Sequence, residues 1–597
     1  MIKKRLALSS LAAFMTLAAG LSACSGGKGA SSASPSGEPG ATAASTSASA
    51  STTPANTDKS GDAVTLRLLV VETGTKWNSY ADNAVAQEIA KKVGVKIEYV
   101  EADDNKFNVL MAGGDLPDIV RADPSKYGQQ LIQGNLVIPM DDLLTQYGKD
   151  ITANVPTVVD YSKKNWSQNT GKLYFLPPQV QSKPATTSPT LAIGPAIRWD
   201  YYKEIGAPAI QSTDDMLNVL DQIVQKHPKT DEGKKIYGVS MWQDWGLWPY
   251  LYPFVYQTTQ TGSNTETMVK GAAGKQFLNM LTDESSSYWT AMDFYNKANR
   301  RGLLDPDGLT MKYNDYNAKA TAGQIILGPA DWAMGDFNKK YAAEKKGYMV
   351  VPAGKLAWFG EVQPIGWTDK SYGISKSSKH ADKAMQFLNY LYSYEGARTM
   401  YSGLQGVHWD MVDGKPVLKD STIDLKNKGG ADWDKTGIAL DINLIGLGRN
   451  VIDPAANTPV DLFVSQDALA KGNNELQKDF SAFYGVTSPG QLFANLVNEG
   501  KLENFYTPYK NVSEDELIKY LTVVTPNLTD DLKKKDAQLK ELGMRYAAKI
   551  ILVKDDAAFV KMKAEAIAAF KKAGADDITK FYQDAYSAAR KASGLND

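Results

Sequence analysis

Apolar and polar positions follow one another in this chain with two alternating periods, and their succession predicts a layered α/β fold. Val64 to Val71 is a largely apolar run that reads as a buried strand. Ala81, Val85, Ile89 and Val93 recur every fourth residue, which makes one face of a helix, and Gly94 follows as its C-terminal cap. Val95 to Val100 alternates as a second strand. Phe107, Leu110 and Met111 mark a short helix ending at Gly113-Gly114, and Asp118 to Ala122 reads as a third strand. The order strand–helix–strand–helix–strand implies parallel pairing through right-handed crossovers, hence a sheet with helices on both faces. Further on the chain becomes more helical. Ala384, Leu388, Leu391 and Tyr392 share a helix face, as do Phe559, Met562, Ala566 and Phe570. No repeat of solenoid type interrupts this order.

Two stretches break the periodic pattern inside the folded part. Pro, Ser and Thr crowd Ser182 to Pro189, and Pro and Gly disrupt Pro352 to Pro364. They read as crossings between two lobes.

The first 62 residues have a different character. Lys3, Lys4 and Arg5 precede an uncharged stretch from Leu6 to Gly20, and Leu21-Ser22-Ala23-Cys24 follows. A basic start, a short apolar segment and small residues at its end are the layout of a secretory signal. The apolar run is shorter than the ~20 residues a membrane-spanning helix needs. Ser25 to Asp62 holds no aromatic residue and no Val, Ile, Leu or Met. Such a segment cannot bury enough apolar surface to offset its ordering entropy. As a flexible coil it would span roughly 30–35 Å.

Composition narrows the chemistry. The formal charge is −1 and no basic block favours nucleic acid. The single cysteine, Cys24, excludes intrachain disulfides and cysteine-based metal sites. Tyr (30) and Trp (12) are abundant enough to supply surfaces that are at once apolar and hydrogen-bonding, whereas His227, His380 and His408 are the only histidines. The chain has no His-Glu-Xaa-Xaa-His, no Gly-Xaa-Ser-Xaa-Gly and no phosphate-cradling Gly-Lys-Ser/Thr loop.

Several segments, in order, carry a family resemblance. Met111-Ala-Gly-Gly-Asp-Leu-Pro-Asp-Ile-Val120 resembles a motif of the extracellular solute-binding proteins of bacterial ABC importers, the carbohydrate-binding lipoproteins of Gram-positive bacteria most of all. Leu136 to Leu143, Ile197 to Gly206, Gly323 to Trp332 and Gly403 to Trp409 are similar to later segments of that family. The small residues before Cys24 resemble a lipobox, in which the cysteine thiol receives diacylglycerol and becomes the new first residue. The resemblance implies a two-lobed type II periplasmic-binding-protein fold with a hinge, here with a helical C-terminal extension. It places a signal peptide at 1–23, a lipid-anchored tether at 24–62, lobe I at 63–185 and 360–400, and lobe II at 186–359 and 401–597.

Open α/β sheets bind ligands at the carboxyl ends of their strands, which directs attention to specific residues. Trp77 and Asn78 follow the first strand, facing a cleft or packing between lobes. Asp123 ends the third, as a cleft residue or a helix cap. Trp242, Asp244 and Trp245 follow Tyr237-Gly-Val239, the strand after which the family's cleft lining begins. Flat rings suit the apolar faces of sugars and carboxylates suit their hydroxyl rims; the same cluster also suits a core. Trp248 and the later rings Tyr250, Tyr252, Phe254 and Tyr256 read as structural. Trp332 matches a family position where an aromatic ring stacks on ligand. Arg198 either reaches the cleft or pairs with Asp200. Trp367, near the second crossing, touches ligand or serves as a hinge wedge, and Gln405 and Trp409 are weaker candidates.

Some relatives place an Asp/Asn-rich calcium loop before the Tyr-Gly strand. Here His227 to Lys235 carries lysines instead, so no ion is expected, and no cofactor. The expectation is therefore a monomeric, non-enzymatic lipoprotein at the outer face of the cell membrane. It would bind a carbohydrate and hand it to the transmembrane subunits of an ABC permease, with no nucleic-acid partner. A lipid-anchored glycosidase or polysaccharide lyase, and a component presenting its ligand to a membrane sensor, are the alternatives.

Overall fold

The apolar run at the start of the folded part forms the centre of a four-stranded sheet. In a computed structural model of the chain, described over residues 63–71, 83–181, 192–255, 261–262, 268–270, 277–354, 359–360, 370–440, 444–502, 509, 511–523 and 528–595, strand Val64–Val71 pairs in parallel with Val95–Ala102 and Ile119–Ala122. Ser371–Ile374 completes the sheet antiparallel to Ile119–Ala122, with Ser371 opposite Ala122. Alternation along the central strand sends Leu66, Leu68 and Val70 into one apolar cluster and Leu69 and Val71 into another, so both faces are covered.

The connecting helices are set by local chemistry. Helix Ala84–Val93 starts where Asn83 Oδ1 accepts the Ala86 N–H (2.8 Å) and stops at Gly94, whose φ of +72° no residue with a Cβ adopts freely. Helix Asp104–Gly113 is capped by Asp103 in the same way and ends at Gly114. Helix Ala381–Leu391 buries Ala384, Leu388 and Leu391 against the first sheet's core, and Tyr392 joins them there.

A second sheet has the order Tyr348–Val350, Ala196–Arg198, Ile325–Gly328, Tyr237–Val239. Only Ile325–Gly328 and Tyr237–Val239 are parallel neighbours in it; Ala196–Arg198 runs against the strands on both its sides. Its core takes in Trp199, Trp242, Tyr250, Tyr288, Tyr295 and Tyr316, and the C-terminal helices Asp530–Ile551, Asp556–Lys572 and Ala575–Ala592 contribute Ile550, Phe570 and Tyr582. The two sheets with their cores are the two lobes. Between them the backbones of Ala192–Ile193 and Phe359–Gly360 pair antiparallel, Phe359 opposite Ile193. Residues 182–191, which contain the whole of the expected first crossing, lie outside the described residues.

One boundary needs correction. Residues 401–597 were expected to accompany lobe II, but Tyr401, Trp409, Leu418, Ile423, Ile438, Leu447, Leu462 and Ala468 pack in the core of lobe I. From Leu476 onward the buried side chains join lobe II. The chain thus passes between lobes a third time, near Asn473 and Asn474. The turn from Gly403 to Trp409 belongs to this lobe I segment. The Trp409 indole donates to Gly403 O (2.8 Å), and the Leu404 N–H donates to His408 Nδ1 (3.0 Å). Gly403 has φ +81°, and a Cβ there would collide with the His408 ring.

Burial, then the nearby Lys419 charge, lower the pKa of His408 below the usual histidine value. The unfolded chain therefore takes up this proton first, and stability falls as pH drops below about 6.5 toward the folded value. Calorimetric melting between pH 7.5 and 5 should show a lobe I transition that declines more in the parent than in His408→Gln.

Candidate functional site

Two parallel strands deliver their following loops to the same edge of a sheet. Because Tyr237–Val239 and Ile325–Gly328 are parallel neighbours, Ser240–Leu247 and Pro329–Met334 emerge side by side. This is how residues far apart in sequence come together in one aromatic wall.

The first loop is stitched down. Ser240 Oγ donates to Asp305 Oδ2 (3.0 Å), and Lys319 Nζ pairs with Asp305 (2.8 Å) and Asp307 (2.7 Å). Burial works against the Lys319 charge, but the two carboxylates more than offset it and hold its pKa above the ordinary value. Gln243 Nε2 donates to Gly308 O (2.7 Å), and its Oε1 accepts the Tyr250 hydroxyl (2.7 Å). Burial pushes the Tyr250 pKa up to about 12, so the phenol stays a neutral donor. Asp244 Oδ1 accepts the Tyr313 N–H (2.9 Å), satisfying a backbone donor in the first turn of helix Tyr313–Thr321.

The second loop turns tightly into the short helix Asp331–Met334. A Cβ at Gly328 would run into Met334 Sδ, so any larger residue there must push the Met334 side chain aside. Met334 in turn receives the Tyr316 hydroxyl on its sulfur (3.5 Å). Gly328→Ala is expected to cost on the order of 1–3 kcal/mol through overpacking and to displace Trp332. Lowered thermal stability together with altered tryptophan fluorescence would report it.

On this frame the rings arrange in depth. Trp242 is fully buried (0 %) and forms the floor, edge-on to Trp245 at 5.3 Å and 86° and against Tyr316 at 4.5 Å. Trp245 (40 % exposed) and Trp332 (41 %) face solvent, nearly parallel at 6.3 Å and 21°. Tyr313 stacks on Trp245 at 4.5 Å and 27°. Trp248, half-buried, lies 5.6 Å from Trp245 and 5.8 Å from Trp332.

The expected site residues therefore separate. Asp244, Trp245 and Trp332 stand together with exposed surface. Trp242, expected to contact ligand, is instead a core residue supporting the wall, because Trp245, Trp248, Tyr313 and Tyr316 cover its ring. Arg198, a cleft candidate, takes the second of its two alternatives. It is 4 % exposed and gives a bidentate pair to Asp200 (Nε to Oδ1 2.9 Å, Nη2 to Oδ2 2.7 Å), between the rings of Tyr201 (4.1 Å) and Phe337 (4.3 Å). Burial opposes its charge, yet the Asp200 bonds raise its pKa further. Asp123 caps helix Pro124–Gln133, accepting the Ser125 N–H (2.8 Å) and hydroxyl (2.6 Å). Trp77, Asn78 and Trp367 lie outside the described residues.

Trp248 joins the wall although it was read as structural. Tyr313 was missed altogether; an aromatic in the first turn of a lobe II helix was the only signal for it. The loop His227 to Lys235 closes on itself. Thr230 N–H donates to Lys234 O and Gly233 N–H to Thr230 O, both at 2.8 Å. With Lys229, Lys234 and Lys235 around it, this donor set does not fit a calcium ion.

Two α/β lobes linked by paired strands, with aromatic rings where strand ends meet solvent, define a two-lobed binding protein. The chain belongs to the bacterial extracellular solute-binding protein family, whose model matches residues 72–398. It is 22 % identical over 261 residues to the fructooligosaccharide ABC transporter substrate-binding protein FusA of Streptococcus pneumoniae serotype 4, covering 43 % of this chain and 47 % of FusA. It is 23 % identical over 342 residues to the lipoprotein LipO of Bacillus subtilis, covering 54 % and 62 %. The matched stretches thus span about half to three-fifths of these relatives. The solved structure of S. pneumoniae FusA in complex with kestose superposes with a TM-score of 0.56 at 16 % identity, over 88 % of this chain and 100 % of that one. At that identity the likeness concerns the fold.

Proposed function

We propose that this protein captures a sugar or oligosaccharide between its lobes outside the cell and delivers it to the transmembrane subunits of an ABC permease. The observation that carries the reading is the pair of exposed, nearly parallel indoles of Trp245 and Trp332 at the carboxyl ends of two lobe II strands. Such rings cover the apolar C–H faces of a saccharide, while Asp244 offers a carboxylate to hydroxyls at the rim. FusA, a relative of the same family, is named for fructooligosaccharides, which supports a carbohydrate ligand. Lobe closure follows when the ligand binds the closed arrangement better than the open one. On this reading the chain itself turns nothing over, and Cys24 carries the lipid that keeps the protein beside its permease; the lipoprotein relative LipO supports the anchor.

A thermal-shift screen against neutral mono- and oligosaccharides tests the reading, because a native-state ligand raises the melting temperature. At least one saccharide is expected to do so and to be recovered chemically unchanged. A screen in which none does, or in which the saccharide is cleaved, overturns the proposal.

A further inference from the structure

The third passage of the chain between lobes is a two-residue link between helices. Helix Gln466–Gly472 is seated on lobe I: Ala468 lies in that core, and Lys471 pairs with Asp420 at 2.9 Å. Only Asn473 and Asn474 separate it from helix Glu475–Tyr484, which is seated on lobe II through Leu476 and Phe480 and through Asp479, which accepts the Trp199 indole N–H at 2.9 Å. Asn473 Nδ2 donates to Thr487 O (2.8 Å), tying the passage to the loop before helix Pro489–Asn498.

Beside this passage lies an open groove of about 370 Å³. Gln466, Asp467 and Ala470 line it from the helix on lobe I, and Thr487, Gln491 and Ala494 line it from the segment on lobe II. None of these residues belongs to the aromatic wall. Farther along, helix Glu514–Thr522 places Leu517 and Tyr520 in the core of lobe II while Ile518 packs against that of lobe I.

We infer that helices Gln466–Gly472, Glu475–Tyr484, Pro489–Asn498 and Glu514–Thr522 form a brace that sets the angle between the lobes, with this groove as its adjustable gap. The argument is geometric. The two walls are fixed to different close-packed cores, which rotate as bodies rather than deform. Any rotation of one lobe on the other about an axis outside the gap must therefore change the separation of the walls. A two-residue link reaches at most about 7 Å, so it limits how far they part, and side-chain volume limits how near they come. Glu514–Thr522 holds the same two cores from a second point. The inference rests on the reading that the lobes close on a ligand, but it concerns the ligand-free angle and is tested there.

The full-length chain carrying Cys24→Ser has no other cysteine. Gln129→Cys on lobe I and Lys229→Cys on lobe II, both exposed, then accept one spin label each. Pulsed electron paramagnetic resonance gives the distance distribution between lobes without ligand. Ala470→Trp and Ala494→Trp, which fill the gap, are each expected to displace that distribution. Each should also change the affinity for the saccharide selected by the screen by about tenfold or more, while Ala470→Ser and Ala494→Ser change neither. Tryptophan variants that melt like the parent and keep its distance distribution overturn the brace. If a tryptophan prevents folding, Ala470→Leu and Ala494→Leu are judged by the same criterion. Failure of every saccharide to bind would count against the proposed function and leave the ligand-free distances to decide on the brace.

Discussion

Asp200→Ala should be among the most destabilising single substitutions in lobe II, costing about 3–5 kcal/mol. The cost does not come from the strength of one ion pair. It comes from what remains: a guanidinium 4 % exposed, clamped between Tyr201 and Phe337, with no carboxylate to receive its two bonds. Asp200 also accepts the Gly347 N–H (3.2 Å), and the Trp199 N–H donates to Gly347 O, so the pair ties the start of helix Trp199–Glu204 to the turn before strand Tyr348–Val350. Arg198 itself has no room to leave, because Gly323 (φ +70°) and Phe337 pack against its head group. Calorimetry should show the lobe II transition falling sharply while the lobe I transition holds. The double variant Arg198→Met/Asp200→Leu removes both charges and should recover much of the loss, as is common when a buried pair is replaced by apolar groups. An Asp200→Ala protein that melts like the parent would show that solvent reaches the guanidinium and would refute the argument.

The same pair shows where a linear reading of the chain stops. Arg198 ends a buried strand, in the position of a cleft residue, and nothing in the spacing tells a ligand-facing guanidinium from one folded back on Asp200. The first sheet was legible where its two eight-residue strands and the helices after them show a complete period and glycine caps mark the helix ends; its fourth strand, Ser371–Ile374, has four residues and was not read. The second sheet is built from strands of three or four residues, too short for a period, and its Ala196–Arg198 strand pairs antiparallel on both sides. The aromatic wall was half legible. Trp245 and Trp332 follow strand ends, which is local information. That Trp242, three residues before Trp245, is their floor depends on Tyr313 and Tyr316 arriving from another helix. Tyr313 stands 69 residues from Asp244 and is joined to it only by a backbone hydrogen bond. The lobe assignment of Tyr401 to Ala468 failed for a similar reason. Helical periodicity shows that a helix has an apolar face, not which of two cores that face meets.

Trp245→Ala and Trp332→Ala are each expected to weaken saccharide binding by about 30-fold, with little effect on stability. The estimate follows from the exposed area. Roughly 40 % of an indole's ~200 Å², about 80 Å², becomes available to cover a sugar face. At ~25 cal/mol per Å² that is about 2 kcal/mol, or roughly 30-fold in Kd. The two rings touch, at 6.3 Å between centroids, so the double variant should lose less than the product of the single losses. Trp245→Ala should cost slightly more stability than Trp332→Ala, since Trp245 also holds Tyr313 and Trp242 in place. Trp242→Ala provides the contrast. It removes a fully buried ring, should cost about 3–5 kcal/mol, and should weaken binding only through collapse of the wall. Trp242→Phe, which keeps most of the floor, should restore binding, whereas phenylalanine at 332 should restore only part of it because a smaller ring covers less of the sugar. Titration calorimetry on these variants separates the roles: a floor residue responds to volume, a contact residue to ring area. Parent-like affinity in the Trp245→Ala/Trp332→Ala double variant would place the ligand elsewhere and remove the wall from the site.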